Sequence, residues 1–176
     1  MSDSPRGFGD PPRTGAAVRL HAALLVGIPL AAILFQVYVP RFVERLSYLE
    51  LPLLVTVYFG LMRGSPVGGV FFGAAVGLAQ DSLSHHALGM FGIVKTLVGY
   101  FAASVSQRVD VRNSPIRLVL AFFFFFFHQF FYWVLTRALL GEALDFEVQQ
   151  TLVLAILNAA VAVPLFLVLD KLKAVG

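Results

Sequence analysis

The stretch RGSPVGGVFFGAAVGLAQD, residues 63–81, decides how the chain is read. It is apolar between its ends, and Pro66 biases the residue before it away from helical backbone angles. An apolar run from Leu46 to Leu83 is therefore broken at Arg63-Gly64-Ser65-Pro66 into two short helices. The second, residues 66 to about 80, would be about 22 Å long, short of the roughly 30 Å of a bilayer's hydrocarbon. Either it runs on through Ser84, or the pair forms a re-entrant hairpin. Both readings return the chain to the same side.

Glycine spacing gives this region a second property. Gly60, Gly64 and Gly68 recur at every fourth residue, and so do Gly69, Gly73 and Gly77. In lipid no hydrophobic force drives helices together, so small residues on one face let backbones approach closely. Both glycine registers are expected to be helix-packing surfaces.

Outward from this pair, longer apolar runs fall near residues 18–39, 87–105, 115–137 and 149–169, each about the twenty residues that cross a bilayer. Composition requires the same solvent. Of 176 residues, 59% are hydrophobic and 13% charged, against about a quarter charged in soluble domains. Too few polar residues remain to build a soluble surface. The first run is longer than a signal-peptide core and ends at Tyr38, Pro40 and Arg41 without a small-residue cleavage site, so it is expected to be a retained span. Residues 1–17, rich in Pro, Gly and Ser, read as a disordered cytoplasmic tail, and residues 18–173 as a single transmembrane domain.

The expected fold is thus all-α: a polytopic transmembrane helix bundle of about six spans, the second and third short. With both termini cytoplasmic, Arg6, Arg13, Arg19, Arg63, Arg108, Arg112, Arg117, Lys171 and Lys173 fall inside, and only Arg41, Arg45 and Arg137 outside. The absence of cysteine excludes disulfides and thiolate-bound metals. Basic residues are scattered through short loops with no phosphate-tracking block, so no nucleic-acid interface is expected.

A few polar residues interrupt the apolar runs. Asp81 lies in GLAQDSLSHHALG, residues 77–89, with His85 and His86. Asp81 and His85 have i,i+4 spacing, but a third metal ligand is missing: His21 and His128 lie on other spans, and no HExxH is present. Nor does Ser82 or Ser84 sit in a nucleophile elbow. No metal, cofactor or catalytic residue is assigned. The structural alternative is that Asp81 accepts hydrogen bonds from the first amides of the next helix, starting at about Ala87 to Gly89. Lys95 is about 12 Å into that helix; it either pairs with Asp81 or snorkels to the interface. In the fifth span, FFFFFFHQFFYW (122–133) is apolar on every face except at His128 and Gln129, which are expected to mark the side facing protein; Asn158 does so for the sixth. Pro29 and Pro164 are expected to kink their helices.

These residues resemble a known family. The run from Glu50 to Ala103 is similar to the MreD family of rod-shape-determining membrane proteins: Pro52-Leu53 entering a short span, glycines from Gly69 to Gly77, Gly77-Leu78 followed by Asp81, Leu88-Gly89, and Gly99-Tyr100. The resemblance implies a non-enzymatic component of the bacterial elongation machinery in the inner (cytoplasmic) membrane. It implies association with MreC, and through it with MreB, RodA and a class B penicillin-binding protein. Asp81, Leu88, Gly89, Gly99 and Tyr100 are then turn or motif positions. Two competing readings have their own marks. A small-molecule binder resembling the substrate-capture subunit of energy-coupling-factor vitamin transporters would show a polar cavity near the outer face, around Lys95 and His128. An intramembrane hydrolase would use Asp81 and His85.

Overall fold

A computed structural model describes residues 22–84, 87–141, 143 and 145–175. The tail expected over residues 1–17 lies outside the described residues, as do His21, His85, His86 and Glu142. The described chain forms six α-helices: α1 Ala22–Tyr38, α2 Leu51–Arg63, α3 Pro66–Leu83, α4 Met90–Ser106, α5 Ser114–Leu139 and α6 Val148–Val175. Two 3₁₀ turns, Val39–Arg41 and Glu44–Tyr48, join α1 to α2, and no strand occurs among the described residues. The chain is an all-α membrane bundle.

The break between α2 and α3 follows from local chemistry. Gly64 takes φ 61°, a left-handed conformation open to glycine at little cost, and ends α2. Ser65 then caps α3, its hydroxyl accepting the Gly68 amide at 3.2 Å, and Pro66 occupies the first turn, where no amide is needed. α3 continues to Leu83, so its 18 residues reach about 27 Å.

Among the described residues, four segments are long and apolar enough to cross a membrane: Leu24–Arg41, Glu44–Arg63, Ser114–Leu139 and Val148–Leu172. The set differs from the four longer runs read in the sequence at one place. The run at 87–105 becomes α4, a shorter apolar helix of 17 residues, because Gly89 takes φ 95° and the helix begins only at Met90. The run before Arg63 qualifies instead, since the second 3₁₀ turn extends α2 upstream.

α2 is the axis of the bundle. Every residue from Pro52 to Leu61 is buried, and α2 touches each of the other five helices. A helix enclosed on all sides needs no polar face, which is why this segment reads as uniformly apolar. α1, α5 and α6 supply much of the outer surface, exposing Val26, Leu30, Phe123, Val153, Ile156 and Val168.

The ends of the bundle are held by different contacts. At one end, Gln107 donates to the Gly64 carbonyl at 2.7 Å, joining the α2–α3 turn to the close of α4. At the other, Gln36 reaches the Ser47 carbonyl at 3.5 Å, holding the 3₁₀ segment against α1. Asn158, buried at mid-helix in α6, accepts the Glu50 amide at 2.9 Å and donates to the Tyr48 carbonyl at 2.8 Å. Non-helical backbone beside α6 is tolerable in lipid only when its polar groups are paired in this way.

Candidate functional site

The residues singled out by the sequence converge on one seam, where α3 and α4 pack backbone to backbone. Gly69 faces Gly99, Gly73 faces the Lys95 carbonyl, and Gly77 faces Phe91 and Gly92. A methyl group at Gly69, Gly73 or Gly77 would overlap main-chain atoms of α4. Two antiparallel helices thus meet over about three turns with no side chain between them. Gly60 brings α2 into the same contact, its hypothetical Cβ lying 2.8 Å from the Ala102 methyl.

Gly64 and Gly68 do not belong to a packing face, which corrects the expectation for that register. The helix breaks at Gly64, so fourfold spacing across the break no longer defines one side. Gly64 provides the left-handed turn, and Gly68 meets only the Ser65 side chain.

Asp81, in the last turn of α3, is 1% exposed. Its Oδ2 accepts the amides of Gly89 at 2.9 Å and Gly92 at 3.0 Å, and Oδ1 accepts that of Phe91 at 3.2 Å. The first amides of a helix have no partner within it and carry the positive end of its dipole. One carboxylate from a neighbouring helix therefore caps α4. Gly89 supplies the positive φ that turns the chain into the helix, whereas its neighbour Leu88 is 78% exposed. Tyr100 lies on the outer side of α4, edge-on to Phe101.

This geometry decides against both fates considered for Lys95. Its side chain is fully buried, so it does not snorkel. Asp81 is instead engaged by three amides. Nζ lies 3.4 Å from His128 Nε2 and 4.3 Å from the centre of the Phe91 ring. Phe91 in turn stacks on His128 and Tyr132, with centroids at 5.8 and 5.0 Å. The ammonium is thus held between an imidazole and an aromatic face. Gln129 does not join it. One residue past His128, it points toward the α6 side beside Tyr132, Gln150 and Thr151.

Other polar residues escaped notice in the sequence. Tyr58 on α2 donates to Asp170 Oδ1 at 2.9 Å, and Arg117 Nη1 contacts Asp170 Oδ2 at 2.5 Å while its Nε donates to the Val111 carbonyl. This network ties the axis to α5 and α6. Each member is unremarkable alone: a tyrosine in a span, and an arginine and an aspartate near helix ends.

Among the described residues there is no group of three His, Cys, Asp or Glu that could hold a metal ion. The Asp81–His85 pairing finds no support either: both Asp81 oxygens are occupied, and His85 lies outside the described residues. A cleft of about 390 Å³ does exist where α1 ends, bounded by Gln36, Arg41, Glu50, Gln80 and Phe91. Lys95 and His128 are not on its wall; Phe91 stands between it and them.

No match is found among curated proteins or among solved structures. The family of the rod shape-determining protein MreD matches residues 18–174, nearly the whole chain and far beyond the run from Glu50 to Ala103. With a helical membrane bundle whose α3–α4 seam is built from the Gly69–Gly77 register, the Asp81 clamp and Gly99, the chain belongs to the MreD family of rod shape-determining membrane proteins.

Proposed function

We propose that the protein is a non-enzymatic scaffold of the bacterial cell-elongation complex. In this reading it crosses the inner membrane six times with both termini in the cytoplasm. It binds MreC directly, and through that contact it works with MreB, RodA and a class B penicillin-binding protein in peptidoglycan synthesis and shape control. Membership in the family supports the general role.

One observation carries the reading further. Asp81, Asn158 and the Tyr58–Asp170–Arg117 group bond one part of the chain to another. Polar groups used this way fix the relative positions of helices and keep the outer surface constant in shape. A constant surface is what a docking platform needs. The test is isolation of the tagged full-length chain from native membranes in mild detergent. MreC should be recovered with it, and recovery of the chain free of MreC would count decisively against the proposal.

The capture of a small molecule, as in the substrate-capture subunits of energy-coupling-factor transporters, is a second reading. The cleft at the end of α1 favours it, although that cleft lies on the far side of Phe91 from Lys95 and His128.

A further inference from the structure

Between α1, the 3₁₀ segment and the end of α3, the cleft of about 390 Å³ is large enough for a headgroup-sized molecule. Its wall carries an uneven set of polar groups: Gln36, Ser47, Glu50 and Gln80, with Arg41 beside them and Phe91 against the seam. Gln80 is 3% exposed, and its Oε1 has no hydrogen-bond partner; nor does the Oε1 of Gln36, whose amide nitrogen is turned to the Ser47 carbonyl. A buried acceptor left unpaired costs about 1–3 kcal/mol. Two in side chains that line one cleft are therefore a mark of a missing donor. The Glu50 carboxylate adds negative charge there, while Arg41, exposed and stacked over Tyr38 at 5.1 Å, puts positive charge at the rim.

We propose that this cleft binds a compact zwitterion, with a primary ammonium inserted among the oxygens of Gln36, Glu50 and Gln80 and an anionic oxyacid held by Arg41. The phosphoethanolamine group has this chemistry, whether as a lipid headgroup or as a free solute. A primary ammonium offers three N–H donors to the acceptors, and its charge suits the carboxylate. A trimethylated ammonium has the same charge and no donor. The site is therefore selective for ethanolamine over choline. The inference goes beyond the scaffold proposal and is independent of MreC, so it can fail while MreC still co-purifies, or hold when MreC does not.

The experiment takes the purified full-length chain and measures binding of free phosphoethanolamine and phosphocholine by calorimetry. In parallel, lipid retention is read by native mass spectrometry after reconstitution in nanodiscs of phosphatidylethanolamine or phosphatidylcholine. The expected result is binding of at least one ethanolamine form and about tenfold or weaker binding of its choline counterpart, one lost charge-assisted hydrogen bond being enough for that factor. Retention of the lipid alone identifies a headgroup, and binding of the solute alone a soluble ligand; either supports the site. Gln80→Leu should weaken the interaction about tenfold, and Arg41→Gln should weaken it while preserving the preference for ethanolamine. Should Gln80→Leu not fold, Gln80→Glu replaces it and should tighten binding. Equal binding of ethanolamine and choline forms, binding of neither, or insensitivity to Gln80 would overturn the proposal.

Discussion

Asp81 and Gly92 are joined across a helix boundary: the carboxylate of one, in the last turn of α3, accepts the amide of the other, in the first turn of α4, at 3.0 Å. The same oxygen also accepts the Gly89 amide, so α4 begins on a charge held by its neighbour. Asp81→Ala removes the acceptor from three amides, two of them in buried bonds. A loss of about 2–4 kcal/mol is expected, with a smaller loss for Asp81→Asn, which keeps one acceptor oxygen. Thermal unfolding in detergent measures both, and an alanine variant as stable as the parent would remove the capping role.

Gly73→Ala tests the seam. Its methyl would run into the Lys95 carbonyl, main chain that cannot turn aside, so α3 and α4 must separate. Overpacking of this kind costs about 1–3 kcal/mol. Gly27→Ala in α1 is the matched control, with nothing within 4 Å of the added methyl. It should be neutral or stabilising by up to about 1 kcal/mol, the helix preference for alanine. The two variants behaving alike would contradict the close-contact account.

Asn158→Leu should loosen the approach to α2 rather than the whole bundle. It leaves the half-buried Glu50 amide and Tyr48 carbonyl without their partner in α6, at about 1 kcal/mol for each bond lost. Hydrogen exchange should rise at residues 48–54 and little at the α3–α4 seam. A uniform rise, or none, would mean that the segment is held by other contacts.

The proposed cytoplasmic placement of both termini can be tested by labelling, because the chain has no cysteine of its own. Arg112→Cys, in the exposed α4–α5 turn, should react with an impermeant maleimide only after the membrane is opened. Asp145→Cys, in the α5–α6 loop, should react in intact spheroplasts. The opposite pattern would invert the topology.

The composition and apolar run lengths by themselves determined a multi-span helical bundle, because lipid admits few other ways to satisfy a backbone. Gly64-Ser65-Pro66 likewise located the α2–α3 break, since left-handed turn, cap and first-turn proline are local effects. The fourfold spacing of Gly69, Gly73 and Gly77 was legible as a face for the same reason: one unbroken helix carries all three. Which backbone that face meets was not, and neither was the departure of Gly64 and Gly68 from the register begun at Gly60, which depends on where the helix ends. Only the tertiary structure decided that Asp81 serves the amides of α4, that Lys95 looks to His128 and Phe91, and that Tyr58, Arg117 and Asp170 form one group. Lys95 and His128 are 33 positions apart, and Tyr58 and Asp170 are 112 apart. Pairings over such separations are set by how helices pack, and no local pattern of residues encodes them.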